Sequence, residues 1–235
     1  MGIRGTTAAA EGLILAGSGG CMRELAWQIQ ELNKQRETWN ILGYIDYNPP
    51  ENGTGITVGK QFLPYLGDDE YLLSQTKPVN AAVCVGSPVL RRKIAAKLMQ
   101  NGQIQFPNLI LGDTRICEDV KLGRGCIISM GVRISTNVTI GDFVFYNTAS
   151  MSCHDGQIGD FVTLGPDVKL AGAVCVGENT ELGIGTRVIQ GVRIGKDIVT
   201  GAGSVIIRDI PDAGTYAGVP AQQLKRQDCC GKEKA

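Results

Sequence analysis

The sequence predicts an α/β domain followed by an all-β domain built as a parallel β-helix. Three observations predict this order: strand and helix patterns that alternate over roughly the first hundred residues, a proline at Pro107, and a six-residue aliphatic repeat that ends at Ile210. We therefore expect one domain over residues 1–106 and a second over residues 107–235. A hydrophobic content of 43% is ample for two cores.

The first region alternates strands and helices. Short apolar runs predict strands over residues 12–17, 41–45 and 81–85, and helices are expected over residues 22–35 and 89–101. Strand, helix, strand, linker, strand and helix in this order indicate a small Rossmann-like sheet. Ligands of such sheets bind beyond the carboxyl ends of the strands. The expected substrate-binding residues there are Gly17, Ser18, Gly19, Gly20, Asp46, Tyr47, Gly86 and Ser87.

Taken together, these loops favour a nucleotide-type ligand. The glycine loop allows close backbone approach ahead of a helix N-terminus, which suits a phosphate. Asp46 is placed to bond a ribose hydroxyl or a uracil ring. A full GxGxxG fingerprint would need a third glycine at position 22, where the chain has Met22, and this argues against NAD. A tight turn before a capped helix is the alternative for each loop taken singly.

The second region repeats every six residues for sixteen hexads without a frame slip. The positions are Ile116, Leu122, Ile128, Ile134, Ile140, Tyr146, Ser152, Ile158, Leu164, Leu170, Val176, Leu182, Val188, Ile194, Thr200 and Ile206. This period is typical of a parallel β-helix, in which each hexad supplies one short strand and one corner and three hexads close a coil. A β-sandwich would instead alternate with period two. We expect a prism of a little over five coils.

Composition excludes several classes of function. Twenty-three acidic residues balance twenty-three basic ones, so no strong field indicates nucleic acid or an anionic membrane as a partner. No apolar run approaches the roughly 18 residues of a membrane span, and no secretory signal is visible. The eight cysteines form no CxxC pair, and Cys126 at a repeat core position is expected to serve as a small hydrophobe. We expect a reduced, cytoplasmic protein.

The chemistry is predicted to centre on His154, the one histidine of the chain. It lies in the stretch 146–156, where three successive hexads lose the aliphatic pattern. A polar interruption of a strict core repeat is typical of a functional site. An imidazole acts as a general base near neutral pH, and Asp155 beside it is placed to orient the ring or raise its basicity. A structural role is the alternative for a single histidine by itself.

Short motifs that agree with one known family are spread over nearly the whole chain. They lie at residues 15–20 and 23–24, 43–46, 85–87, 106–110, 147, 154–155, 158–160, 201–205 and 217–221. With them the chain resembles the hexapeptide-repeat sugar acyltransferases that carry an N-terminal nucleotide-sugar-binding domain, the family of sialic acid O-acetyltransferases and UDP-4-amino-sugar N-acetyltransferases. The motifs do not specify the acceptor.

The resemblance implies a left-handed β-helix that forms a homotrimer, with active sites between neighbouring prisms. It implies acetyl-coenzyme A as co-substrate in a groove beside the C-terminal coils, and an acceptor brought by the N-terminal domain of the adjoining subunit. The cofactor-binding residues it implies are Gly172, Ile184, Gly201, Ala202 and Pro220.

The resemblance also implies the catalytic roles. His154 is the base, Asp155 tunes it, Asn147 holds the acceptor group, and the Gly172 N–H binds the oxyanion. Coils stacked about 4.8 Å apart independently bring residues 154 and 172 to equivalent places on adjacent coils.

The chain departs from the family at three positions. Gly20 and Thr163 stand where some members have further histidines, so any role of those histidines in binding the acetyl carbonyl must be absent or met by backbone. Tyr47 replaces an acidic residue that is common after the Asp46 position.

We expect a direct transfer through a ternary complex, catalysed by an acetyl-CoA-dependent N-acetyltransferase that acts on a UDP-4-amino-sugar for surface glycan synthesis. One alternative is a sugar O-acetyltransferase acting on sialic acid or a related surface sugar, which would use the same residues. An alternative of another class is a non-catalytic β-helix scaffold, which the intact set of Asn147, His154, Asp155 and Gly172 opposes.

Two further chemistries are disfavoured. Cys153 is a tempting nucleophile, but adjacent strand residues point to opposite faces, so it should not share a cleft with His154. A metal-dependent enzyme on the same prism, such as a carbonic anhydrase, needs three histidine ligands across an interface, and the chain has one histidine. We therefore expect no metal.

Overall fold

The computed structural model describes residues 10–224. The first part is a six-stranded sheet of strand order β3-β4-β2-β1-β5-β6, flanked by helices. Its elements are β1 (Glu11–Ala16), α1 (Gly20–Gln35), β2 (Trp39–Ile45), β3 (Gly55–Val58), β4 (Gln61–Gly67), α2 (Asp69–Leu73), β5 (Val79–Val83), α3 (Pro88–Leu98) and β6 (Ile104–Gln105). Among residues 10–224, no helix has the length and apolar character that crossing a membrane requires.

Strand β1 lies at the centre of this sheet because both of its faces are apolar. Leu13 and Leu15 pack in one core cluster with Leu25 and other residues of α1, while Ile14 and Ala16 pack in a second cluster on the opposite face. Strands β2 and β5 flank β1 in parallel. A strand buried on both faces is typical of such a parallel sheet, so the Rossmann-like prediction is confirmed.

The segment between the predicted strands at 41–45 and 81–85 is expected to be a linker, and the structure corrects this. Strands β3 and β4 form an antiparallel hairpin, and β4 also pairs in parallel with β2, so the hairpin extends the sheet. The α2 helix follows, capped by the Asp68 carboxylate, which accepts from the Glu70 N–H at 3.0 Å. Pro64 inside β4 weakens the strand signal, because proline is rare within sheets.

The second part is a left-handed parallel β-helix with seventeen short strands. They are β7 (Leu109–Ile110), β8 (Arg115–Ile116), β9 (Lys121–Leu122), β10 (Ile127–Ile128), β11 (Arg133–Ile134), β12 (Thr139–Ile140), β13 (Phe145–Tyr146), β14 (Met151–Ser152), β15 (Gln157–Ile158), β16 (Thr163–Leu164), β17 (Lys169–Leu170), β18 (Cys175–Val176), β19 (Glu181–Leu182), β20 (Arg187–Val188), β21 (Arg193–Ile194), β22 (Ile198–Thr200) and β23 (Val205–Ile206). A terminal hairpin of β24 (Gly214–Gly218) and β25 (Ala221–Gln223) follows.

These strands form the three faces of a triangular prism, with every third strand on the same face. Face 1 contains β7, β10, β13, β16, β19 and β22. Face 2 contains β8, β11, β14, β17, β20 and β23, and face 3 contains β9, β12, β15, β18 and β21. The predicted prism of a little over five coils is therefore confirmed.

The corners between faces have one repeated backbone conformation. At every sixth residue from 125 to 203, φ lies between 54° and 77°. Nine of these corner residues are not glycine, which is unusual because the left-handed region crowds the Cβ atom. The repeat of this conformation gives every coil the same path, so that residues 18 apart stack in columns.

The inward-facing side chains explain most of the polar interruption at residues 146–156. Tyr146 and Ser152 are fully buried and point into the prism, where the Tyr146 hydroxyl and Ser152 Oγ share a hydrogen bond of 2.8 Å. The large tyrosine is thus matched by a small serine in the next hexad. For these two residues the functional interpretation of the interruption was wrong, because they are a packing pair in the core.

Arg91 of α3 joins the two parts of the chain. Its side chain is 1% exposed and donates to the carbonyl oxygens of Phe143 and Phe161 on the prism, at 2.9 Å each. It also donates to the carbonyls of Val85 at 2.8 Å and Gly86 at 2.9 Å. Burial lowers the pKa of Arg91 to about 10. The loop after β5 is thereby held against the corner of the prism between faces 3 and 1.

Candidate active site

His154 and Asp155 occupy a turn between faces 2 and 3. We call this column the His154 corner; it contains the turns at residues 136–137, 154–155 and 172–173 of successive coils. Asp155 adopts the left-handed conformation, with φ of 61°. Its Oδ2 lies 2.8 Å from His154 Nδ1, and both side chains are about half exposed. The imidazole is therefore oriented by the protein while its outer edge faces solvent.

The hydrogen bond to Asp155 determines which ring nitrogen is available. A hydrogen bond from the Asn137 side-chain amide, and then one from His154, lower the pKa of the Asp155 carboxyl below its usual value. An ionised carboxylate is an acceptor alone, so it favours a proton on Nδ1 of neutral His154. This leaves the Nε2 lone pair free to accept a proton, as a general base requires.

Gly172 lies directly against the His154 ring, one coil further along the same corner. A Cβ atom at position 172 would be 2.5 Å from His154 Nε2, so the ring occupies the space that any larger residue would need. Within residues 10–224, the Gly172 N–H donates to no acceptor. The structure thus brings together three of the four predicted catalytic residues: His154, Asp155 and Gly172.

Asn147 lies at a different corner. It precedes the turn between faces 1 and 2, where the turns at residues 148–149, 166–167, 184–185 and 202–203 form a column that we call the Ile184 corner. Face 2 separates this corner from the His154 corner. Within one chain Asn147 therefore does not meet His154, because seven residues carry the chain from one corner to the next.

The predicted coenzyme-binding residues other than Gly172 are also at or near the Ile184 corner. Ile184 is 54% exposed at its turn, and Ala202 lies one coil beyond it. Gly201 donates its N–H to Tyr216 O at 2.8 Å, so the terminal hairpin that contains Pro220 packs beside it. The meeting of these residues with Gly172 across a subunit boundary stays a prediction.

Cys153 does not belong to the His154 turn. Strand β14 ends at Ser152, so the argument that Cys153 and His154 share a strand was wrong. Cys153 instead lines a groove on face 2 together with Cys117 and Ser135. The prediction that Cys153 is not the nucleophile therefore has a different basis: Cys153 lies on face 2, whereas His154 lies at the corner.

The loops after the parallel strands converge as predicted. Gly17 donates its N–H to Ile45 O at 2.8 Å, and Cys84 donates to Ala16 O at 2.8 Å, which brings the three strand ends to one edge. Gly19 caps α1 and Gly20 begins it. Asp46 Oδ1 accepts from the Asn48 N–H at 2.9 Å, while Tyr47 is exposed. The Asp46 carboxylate thus supports the loop that follows β2.

A cleft of about 630 Å³ opens at this edge. Of the predicted substrate residues, Ser18 lines it. Sequence reasoning missed Arg23, Asn48 and Asn52, which also line it. Arg23 donates to Ser18 O at 3.0 Å. Its place in the first turn of α1, directly after the glycine loop, was the available signal, because a cation there lies beside the loop.

Gly86 and Ser87 are outside the residues that line this cleft. The Gly86 carbonyl accepts from Thr163 Oγ1 at 2.6 Å as well as from Arg91. Thr163 is buried and also accepts from Arg91 at 2.9 Å. In this chain Thr163 therefore fastens the Gly86 loop to face 1. Within residues 10–224, no group of three or more His, Cys, Asp and Glu side chains could hold a metal ion.

Comparison with known proteins identifies relatives of both parts. The family described as the PglD N-terminal domain matches residues 12–98. A GDP-perosamine N-acetyltransferase of Escherichia coli O157:H7 is 35% identical over 101 residues, which is 41% of this chain and 43% of that protein. This match thus spans less than half the length of the curated relative.

Solved structures match nearly the whole chain. PerB from Caulobacter crescentus, determined in complex with CoA and GDP-perosamine, is 33% identical with a TM-score of 0.80, and the match covers 92% of this chain and 99% of that one. The acetyltransferase domain of PglB from Neisseria gonorrhoeae FA1090, in complex with acetyl coenzyme A, is 28% identical with a TM-score of 0.78 and coverage of 92% and 100%.

Proposed function

Since this chain belongs to the hexapeptide-repeat sugar acyltransferases that carry a PglD-type N-terminal domain, we propose that it transfers acetyl from acetyl-CoA to the amino group of a nucleoside-diphosphate-linked sugar. The observation that carries the proposal is the stack of His154, Asp155 and Gly172 at one corner of the prism. It supplies a base with a free ring nitrogen beside an unengaged backbone donor. A cytoplasmic location and a role in surface glycan synthesis belong to the same proposal.

His154 acts as the general base. Nδ1 donates to the Asp155 carboxylate. Nε2 takes a proton from the acceptor amine while the amine nitrogen of the sugar forms a bond to the thioester carbonyl carbon. The carbon–sulfur bond then breaks, and the imidazolium returns the proton to the departing thiolate. One amide and one thiol result, and no covalent enzyme intermediate is needed.

Gly172 binds the developing oxyanion through its N–H. Because the coils fix this donor before the substrate arrives, its dipole costs no reorganisation during the reaction. Such a donor is worth about 3–4 kcal/mol of transition-state stabilisation in other acyl transfers. The absence of a side chain at this position lets the ring and the donor lie side by side.

The nucleotide occupies the cleft at the strand ends, with the glycine loop and Arg23 toward its phosphates. One relative is named for GDP-perosamine and the structure of another contains it, which favours GDP, whereas a UDP sugar is the expectation from the sequence. In a homotrimer the Ile184 corner of one prism completes the site at the His154 corner of the next. Asn147 then holds the acceptor, and Ile184, Gly201, Ala202 and Pro220 line the coenzyme groove.

The test measures thiol release from acetyl-CoA with GDP-perosamine, a UDP-4-amino-sugar and free sialic acid. We expect turnover with a nucleotide-linked amino sugar, and a reduction in kcat of about 10²–10⁴-fold in His154→Ala, the range for loss of a general base. Lys196→Ala, an exposed residue at the corner between faces 3 and 1, is the control and should retain activity.

The acceptor panel separates the alternatives. Turnover with sialic acid alone would move the assignment to O-acetylation, and thiol release from none of the three acceptors would support the scaffold alternative. Equal activity of His154→Ala and the wild-type protein would overturn the role of the base.

A further inference from the structure

Three residues at the His154 corner continue its hydrogen-bond network away from Gly172. Asp119, Asn137 and Asp155 are spaced by 18 residues and therefore stack on successive coils. The Asp119 carboxylate accepts from the Asn137 N–H at 3.0 Å and from the Thr136 hydroxyl. The Asn137 side-chain amide in turn donates to Asp155 Oδ1 at 2.6 Å.

The two oxygens of Asp155 thus have separate partners. Oδ1 accepts from Asn137, and Oδ2 contacts His154 Nδ1 at 2.8 Å. Asp155 is 53% exposed, so without a second anchor its carboxylate would rotate and exchange the imidazole for water. The Asn137 amide prevents this rotation because it holds the oxygen that His154 does not use. Partners of this kind fix the tautomer and direction of a histidine ring.

We infer that Asn137 is a positioning residue, which holds Asp155 so that the proton of neutral His154 stays on Nδ1 and Nε2 stays free. The inference rests on the proposed function for the use of that nitrogen, but the effect on the ring does not depend on any substrate. The hydrogen bond from Asn137 is also the largest contribution that lowers the pKa of Asp155.

The chain contains a matched control for this role. At another corner, the Asn179 side-chain amide donates to Asp197 Oδ1, again across 18 residues. Asn179 and Asn137 have nearly the same backbone, with φ of 58° and 55°. No histidine adjoins Asp197 in the sequence. If such asparagine–aspartate hydrogen bonds only stabilise corners, replacing either asparagine should have the same effect on the state of His154 and on kcat.

The decisive measurement is the ¹⁵N NMR spectrum of His154 in untagged protein, where the one histidine of the chain needs no assignment. For the neutral ring we expect a protonated Nδ1 and an unprotonated Nε2 in the wild-type protein. Asn137→Gly keeps the left-handed backbone and removes the amide, and we expect it to give a mixture of tautomers. Asn179→Gly should leave the spectrum unchanged. An unchanged spectrum in Asn137→Gly would overturn the inference.

Kinetics provides a second measurement. Loss of one orienting hydrogen bond should lower kcat by about five-fold, the equivalent of about 1 kcal/mol, with the KM for acetyl-CoA unchanged. Asn179→Gly should match wild type. Asn137→Asp also tolerates this backbone, but it places a second carboxylate against Asp155 and should lower kcat further because like charges repel. Equal kcat in Asn137→Gly and Asn179→Gly would contradict the role.

The two proposals fail in different ways. If no acceptor is turned over but the tautomer still depends on Asn137, the proposed function is wrong and the positioning role stands. If turnover requires His154 but neither the spectrum nor kcat responds to Asn137→Gly, the proposed function stands and the positioning role is wrong.

Discussion

The β-helix and the α/β sheet bring residues together by different rules. In the β-helix each strand pairs with the strand 18 residues further on, as Ile127 pairs with Phe145 and Met151 with Lys169. In the sheet, Leu13 of β1 pairs with Ile41 on one side and Asn80 on the other, through two crossovers of different length. Contacts at a β-helix corner therefore follow from a fixed period, whereas contacts at the strand ends depend on packing.

Because of this difference, substitutions at a β-helix corner and substitutions between the two regions should have different effects. A residue of the His154 corner contacts the residues one coil before and after it and solvent, so its replacement should change the chemistry with little loss of stability. A residue between the two regions, such as Arg91, serves several segments at once. Its replacement should change stability first.

The largest effect is expected where the regions meet. Arg91→Met removes the donor shared by the carbonyls of Val85, Phe143 and Phe161. Each buried carbonyl left without a partner costs about 1–3 kcal/mol, so we expect a loss of at least about 3 kcal/mol in the free energy of unfolding. Urea denaturation at one fixed protein concentration measures it.

The neighbouring residue is the control for Arg91. Arg92 forms an exposed ion pair with Glu178 at 3.4 Å, and Arg92→Met should cost less than about 1 kcal/mol. If both variants had the same denaturation midpoint, Arg91 would not join the two regions in the way its contacts indicate.

A smaller effect, confined to catalysis, is expected at Gly172. The methyl group of Gly172→Ala would lie 2.5 Å from His154 Nε2 and push the half-exposed ring outward. A displacement of about 1 Å costs up to about 100-fold in rate. Steady-state kinetics should show this fall in kcat, while the melting temperature stays near that of the wild-type protein. Gly102→Ala, where a Cβ atom meets open space, should leave both unchanged.

The smallest effect is expected inside the prism. Tyr146→Phe removes one buried hydrogen bond with Ser152 and should lower the free energy of unfolding by about 1 kcal/mol without changing kcat. Combining it with Ser152→Ala should cost little more than the single change, because neither partner is then left unpaired. A large loss of activity in Tyr146→Phe would contradict a purely structural role and indicate that Tyr146 and Ser152 contribute to catalysis.

The β-helix could also be predicted from the sequence in more detail than the α/β sheet. Left-handedness, the number of coils and the column of residues 154 and 172 follow from the hexad period and the family resemblance. The same period places Asn137, 18 residues before Asp155, in the same column. In the sheet, three strands and two helices were predicted near their observed places, while the β3–β4 hairpin was missed because its pairing connects residues with no common pattern.

By itself the sequence determined the β-helix, the strand ends that converge in the α/β sheet, and His154 with Asp155 as the candidate acid–base pair. Local spacing was sufficient there, because the period of the backbone decides which side chains share a face. The same period places Tyr146 and Ser152 in the core and puts Asn147 and His154 at different corners. Only the tertiary structure decided that Arg91 and Thr163 hold the Gly86 loop. Those contacts join segments up to 77 residues apart, and packing rather than period brings such segments together.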